Sequence, residues 1–226
     1  MSRSEKFKKW WENTWYYYKW WIIVGAMVLI TLIISVQDFV GEPPADITVI
    51  MATQQSYYKN GSVEAFSEAL ENYCEDIDKN GKVHVKIREI NIKPAKTTLQ
   101  QLNSLQSKFL AEINLADNVI YIFDEPIYTN ILKANNVLDD LNSIDSTVTP
   151  ETDKILLKDT GVLKHLNLSE KIKEYTSSEC EEERQKYDKL YIGVRQFKGT
   201  QVENSEKAKK VFEDAYGFLK NILKDR

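Results

Sequence analysis

A chain of 226 residues with 30 Lys and Arg against 34 Asp and Glu carries a net charge of −4, and setting its first forty or so residues aside leaves about 180, enough for one globular domain. The segment before residue 20 contributes five positive and two negative charges, which leaves the remainder at −7 and argues against nucleic acid as a partner. Cys74, Cys180, His84 and His165 lie too far apart in sequence for a close-spaced zinc motif, and the two cysteines read as free thiols.

Residues 1–19 form a basic and aromatic tail in which Phe7, Trp10 and Trp11 mingle with Lys6, Lys8 and Lys9, a pattern that suits either a short cytoplasmic helix lying in the membrane interface or simple disorder. Trp20 to Val36, WWIIVGAMVLITLIISV, follows without a charge. Its 17 positions reach about 26 Å as a helix, and the flanking aromatic residues extend that to the roughly 30 Å of a bilayer core. Residues 20–40 are therefore expected to form a transmembrane helix, with Trp15 to Tyr18, Trp20 and Trp21 as its interfacial belt. Arg3, Lys6, Lys8, Lys9 and Lys19 precede the span, whereas Asp38, Glu42 and Asp46 follow it. This asymmetry puts the N-terminus in the cytoplasm and the C-terminal domain outside the cell membrane. A cleaved secretory signal shares the order of regions, but Ser35, Gln37, Phe39 and Gly41 offer no small-x-small cleavage site.

Gly41, Pro43 and Pro44 make residues 41–45 a short, stiff linker that keeps the domain of residues 46–226 close to the membrane. Asp46 to Ala52, DITVIMA, is a β-branched run of strand length, and Asn60-Gly61 marks a turn. Ser62 reads as the N-cap of an amphipathic helix through Phe66, Ala69, Leu70 and Tyr73 to about Ile77. Val83, Val85, Ile87, Ile90 and Ile92 predict a second strand with one wetter face, on which His84 reads as a bland surface group, as does His165 further on. Leu99, Leu102, Leu105, Phe109, Leu110 and Ile113 form a helical stripe that feeds the apolar strand Asn118 to Phe123. Pro126 suits the first turn of a short helix.

The pattern then weakens, and short helices are expected near 151–158 and 169–184, with the acidic run Glu179 to Glu183 as a solvated face. Lys189 to Arg195, KLYIGVR, restores a strand. Ser205 opens a closing helix whose Ala208, Val211, Phe212, Ala215, Phe218, Leu219 and Ile222 share one face. The alternation of strands and helices, with right-handed crossovers, predicts an open α/β domain on a mainly parallel sheet.

Open α/β sheets take ligands beyond the carboxyl ends of their strands. That rule selects Gln54, Gln55, Tyr57 and Tyr58 after the first strand, Asp124, Glu125 and Tyr128 after the third, and Arg195 after the last. The amides and phenols suit a sugar or peptide, the carboxylates line an opposite wall, and the guanidinium suits an anion, although loops at strand ends are polar in most such domains. Nothing supplies a nucleophile, a metal cage or a glycine-rich phosphate loop, so the domain is expected to be no enzyme.

Asp76-Ile-Asp78-Lys-Asn80-Gly81-Lys82-Val83 reproduces the first half of an EF-hand calcium loop, with Lys82 offering its carbonyl. Position twelve is Ile87 instead of Glu, so a calcium ion would need a carboxylate from elsewhere. The competing reading is a helix stopped at Asn80-Gly81, with Gly81 as a left-handed cap. No other cofactor is expected.

The order DITVIMA, helix, KVHVKIREI, long helix, NVIYIFDEPIYTNILKANNVLDDLNSI, YDKLYIGVRQ and closing helix resembles one lobe of bacterial extracytoplasmic solute-binding proteins. Asn136 to Leu141 echoes that family's g-x-L-x-D-L phrase, and KLYIGVR resembles its GKLYGVP strand. The chain is also similar to a group of single-pass membrane-anchored proteins of monoderm bacteria with the same WYYYKWW lead-in, DxDxxG-KV turn and strand order. The resemblance implies a membrane-anchored, non-enzymatic binding module that holds a small solute or presents it to a transporter. Solute-binding proteins close two lobes on their ligand, and this chain has room for one full lobe, which would offer an open and weaker surface. The alternative is a scaffold domain that docks another membrane protein and has no small-molecule ligand.

Overall fold

The computed structural model describes residues 3–40, 45–54, 58–59, 61–92, 99–114, 118–144, 152–197 and 202–225. The chain divides into two compact units, Met1–Pro44 and Ala45–Arg226. The first is a single helix, α1 (Arg3–Val40), so the basic tail and the apolar run are continuous, with no break at residue 19. Within it, Trp15–Ile33 is long and apolar enough to cross a membrane. Its described apolar side chains are exposed all round, a surface that water does not favour. Thr31 satisfies its hydroxyl on the Met27 carbonyl at 2.9 Å, which lets a polar residue sit in an apolar helix.

Among the described residues the second unit builds a five-stranded sheet in the order β2-β1-β3-β5-β4. β1 (Ile47–Thr53) lies parallel to β2 (Val85–Asn91) and to β3 (Ile120–Phe123). β5 (Tyr191–Val194) runs antiparallel to β3 and to β4 (Ile155–Leu156), so it alone opposes the other strands. The sheet is mixed and mostly parallel.

Alternation along the central strands explains why both faces are buried. Ile47, Val49 and Met51 of β1, with Ile120 and Ile122 of β3, enter one core; Ile50 and Ala52, with Tyr121 and Phe123, enter the other. The first core is closed by α2 (Ser62–Glu71) and α7 (Glu206–Lys224). The second is closed by α3 (Leu99–Asn114), through Phe109 and Ile113, and by the segment after β3. Leu110, read as part of the α3 stripe, is instead exposed. Ala208, Phe212, Ala215, Phe218, Leu219 and Ile222 of α7 are all buried, and each large side chain among them contributes about 1.5–3 kcal/mol by leaving water.

Several expectations shift. The N-cap of α2 is Gly61, and Ser62 is its first residue, with Oγ 2.8 Å from the Tyr187 hydroxyl. The helix ends at Glu71, well before Ile77, where the Asn72 amide donates to the carbonyls of Glu68 and Ala69. Where a helix was expected near 151–158, Ile155 and Leu156 form the edge strand β4, followed by 3-10 turns at Leu157–Asp159 and Gly161–Lys164. A two-residue strand is too short to show a period. The expected helix near 169–184 is two, α5 (Leu168–Lys171) and α6 (Ser177–Tyr187), the second opened by a Thr176–Glu179 capping box. Glu183 in the acidic run is no solvated residue: it is buried, accepts the Lys59 N–H at 3.0 Å and pairs with Lys186 at 2.5 Å.

Candidate functional site

The carboxyl ends of β1 and β3 meet at Asp124, but this carboxylate is turned inward. It is buried, Oδ2 accepts the Gln54 N–H at 2.7 Å, and Oδ1 accepts the Ile127 N–H at 3.2 Å as the N-cap of α4 (Glu125–Ile127). Asp124 thus ties the end of β1 to the helix after β3 by spending its carboxylate on backbone N–H groups, and it also borders a cleft with Glu125 and Tyr191; Gln54 is engaged at the same junction through its backbone. Gln55 and Tyr57 lie outside the described residues. Tyr58 belongs elsewhere, packed against the first core with its ring 4.7 Å from that of Tyr187.

Arg195 is also misplaced by the sequence reading. Because β5 runs antiparallel to β3, its carboxyl end lies at the amino end of β3, where the Arg195 N–H donates to the Val119 carbonyl at 2.8 Å. Its side chain is buried, and burial pulls its pKa down against the opposing effect of Tyr121. The same reversal brings the other end of β5, Tyr191, beside Phe123.

What converges instead is a cluster around Glu125 and Tyr128. Tyr128 opens a π-helical turn (Tyr128–Leu132) that continues α4. Its hydroxyl donates to the Asp153 carboxylate, 3.0 Å from each oxygen. The Phe123 ring is nearly parallel to both tyrosines, 5.9 Å and 12° from Tyr128, 6.2 Å and 18° from Tyr191. The Lys154 ammonium sits 3.5 Å from the Tyr128 ring centre, 4.0 Å from that of Tyr191 and 2.5 Å from Glu125 Oε2. Gly193 permits this assembly, since a Cβ there would stand 2.9 Å from the Asp153 carbonyl and push the 152–156 segment away from β5.

The electrostatics follow from these contacts. The Lys154 hydrogen bond holds the Glu125 carboxyl below its usual range, against a smaller opposing effect of burial. Burial first, then the Asp153 carboxylate, pushes the Tyr128 hydroxyl up to about 12, and burial with Glu125 raises that of Tyr191. Two open clefts of about 420 Å³ each share Tyr128 and Asp153. One runs past Lys154, Asp159 and Tyr191, and the other towards Asp140 and Gln196. The arrangement can stack on and hydrogen-bond a small molecule. A larger cleft, about 610 Å³, lies at the opposite end of the strands, between the amino ends of β1 and β3 and the start of α7, with an apolar floor and Lys207, Lys210 and Asp214 at its rim.

The Asp76–Lys82 turn is not a helix stop. Asp76 accepts the N–H groups of Asn80 and Gly81 at 3.1 and 2.8 Å, Asp78 that of Asn80 at 3.0 Å, and Asn80 that of Lys82 at 2.8 Å. Lys79 and Gly81 are left-handed, with φ of 59° and 85°. Asp46 brings a further carboxylate from the start of β1, and one oxygen from each of Asp46, Asp76 and Asp78 lies within 4.8 Å of the others. Those three, the Asn80 side chain and the Lys82 carbonyl are the groups that could hold a hard cation. The Asp46 carboxylate also accepts the N–H groups of Ile77, Asp78 and His84 at 2.8, 3.2 and 2.9 Å. His84 is half-buried with Nδ1 3.2 Å from Glu71 Oε1, more engaged than a bland surface group. His165 likewise has a neighbour, the Tyr73 ring at 5.8 Å.

Tyr191, Asp153 and Lys154 escaped the sequence reading. Tyr191 was hidden by the assumption that β5 runs parallel to its neighbours, and Asp153 and Lys154 by the absence of any strand signal at Ile155-Leu156. No family model, no curated protein and no solved structure matches this chain.

Proposed function

We propose that this chain is a membrane-anchored, non-enzymatic binding module whose domain faces outward and takes a small solute at the Tyr128–Tyr191 face, in the manner of a single lobe of a solute-binding protein that serves a transporter. The observation that carries the reading is the convergence of Tyr128, Tyr191, Asp153 and Lys154 on open clefts, with Glu125 paired to Lys154 beside them. Glu125 and Tyr128 stand just beyond the carboxyl end of β3, where open α/β sheets receive ligands. The charge asymmetry about the apolar run of residues 20–36 supports an N-terminus on the cytoplasmic side.

The test is a thermal-shift screen of the full-length chain in detergent against sugars, amino acids, peptides and amines, since a ligand that binds only the folded state raises its melting temperature. A solute whose shift disappears in Tyr191→Leu supports the reading; silence across the screen in both the wild type and Lys154→Gln removes it. A second reading, a scaffold domain for another membrane protein, is favoured by the apolar cleft beside Lys207 and Lys210. It expects a crosslinked partner whose capture is lost when Val211 is changed to Asp.

A further inference from the structure

We infer that the ligand of the Tyr128–Tyr191 face is an organic cation bearing an alkylated ammonium group, and that Lys154 occupies that group's seat in the unliganded chain. The inference rests on the binding-module reading and adds the ligand's chemistry to it.

An aromatic face carries negative charge density, and a cation is held when it lies within about 6 Å of the ring centre. Lys154 Nζ meets this condition twice, at 3.5 Å from Tyr128 and 4.0 Å from Tyr191. The rings are fixed in advance. Both pack against Phe123 within 18° of parallel, and the Tyr128 hydroxyl is anchored on Asp153. Preformed walls of this kind lower the ordering cost that a ligand would otherwise meet on binding.

Charge points the same way. Glu125 lies 2.5 Å from the ammonium, Asp153 and Asp159 line its cleft, and Asp139 and Asp140 line the adjoining one, against a single further cation there among the described residues, Lys133, whose ammonium is 5.9 Å from the Tyr128 ring centre. With the Lys154 head withdrawn, the two ring faces would remain beside an excess of carboxylates, which disfavours an anion and suits a cation. Withdrawal breaks the Glu125 pair and both ring contacts of a largely buried lysine, but it leaves the backbone in place. Lys154 sits just before β4, the outermost strand of the sheet, on a flexible four-carbon stem that can turn to water without breaking a strand ladder. A primary ammonium is strongly hydrated, whereas an alkylated one sheds water more readily, so a quaternary group gains more from the aromatic seat than the lysine that it displaces. Lys154 thereby acts as a tethered competitor that sets a threshold for binding.

The experiment uses the full-length protein in detergent, with choline and tetramethylammonium as probes and 3,3-dimethylbutan-1-ol as the uncharged analogue of choline. Calorimetric titrations compare the wild type with Lys154→Gln and Lys154→Met, two substitutions so that loss of folding in one does not decide the outcome. Removing the tethered competitor is expected to tighten choline binding by about tenfold or more, because the apparent affinity rises with the fraction of open seats. The uncharged analogue should gain nothing, and adding Tyr191→Leu should reverse the gain.

Equal choline affinity in the wild type and in both Lys154 variants, or preference for the uncharged analogue, overturns the inference. If a sugar, amino acid or peptide binds the wild type and is lost in Tyr191→Leu while choline never binds, the face is a binding site and only its cationic ligand is refuted. If no solute binds the wild type or any variant, the binding-module reading falls as well.

Discussion

Phe123 and Tyr191 face each other across the antiparallel pair β3–β5, with ring centres 6.2 Å apart and planes 18° from parallel. This pairing decides which end of β5 meets the carboxyl end of β3. It also brings the 152–156 segment against β5, and Gly193 is the residue that allows so close an approach.

Gly193→Ala is therefore expected to destabilise the domain by about 1–3 kcal/mol, because the new Cβ meets a backbone carbonyl that has no free rotation by which to escape. Chemical denaturation measures the loss. Hydrogen exchange should show it concentrated in β4 and the residues around Lys154; an unchanged midpoint would mean that the segment can shift at no cost.

Asp46 joins the start of β1 to the 77–84 turn through three backbone N–H groups. Asp46→Ala strips those donors of their acceptor and is expected to cost about 2 kcal/mol. Burial works to raise the Asp46 pKa, but the N–H groups of His84, Asp78 and Ile77, aided by the His84 charge, lower it below the ordinary 3.8. A depressed carboxylate stabilises the fold fully above its unfolded value, and that contribution is lost as pH falls through the lower folded value. Urea midpoints for the wild type should therefore fall more steeply below pH 4 than those for Asp46→Asn; parallel curves would refute the role.

How far this was legible in the sequence depends on the range of each signal. The apolar runs in DITVIMA and NVIYIF, the face of α7 and its Ser205 cap are local, and they appear where the chain predicts them. The Thr176-x-x-Glu179 capping box was equally local and readable, yet it was passed over in a segment with few apolar landmarks. Strand direction is not local: nothing within KLYIGVR states that β5 reverses, and that one fact exchanged Arg195 for Tyr191 at the candidate site. Asp124 and Tyr58 were chosen for their chemistry, but a carboxylate next to two unpaired N–H groups becomes a cap, and a tyrosine near an aromatic core packs into it.

In the Asp76–Lys82 turn, the carboxylates of Asp46, Asp76 and Asp78 already accept backbone N–H groups. The turn is thus expected to hold its shape without an ion, and a chelator should leave the melting temperature unchanged. A clear drop on adding chelator, restored by calcium, would show instead that a cation completes the cluster.

The charge asymmetry around Trp15–Ile33 leads to a topological expectation. Protease added to intact protoplasts should remove the Ala45–Arg226 unit and leave a protected fragment that contains the Arg3–Lys19 segment. Survival of the unit until the membrane is broken would place it inside the cell.

The most direct measurement is a structure of the full-length chain bound to whichever solute gives the largest thermal shift. The expected result is a solute between Tyr128 and Tyr191, with the Lys154 ammonium displaced from their rings. A solute seated beside Lys207 and Lys210 at the opposite end of the strands, with Lys154 still in place, would contradict it.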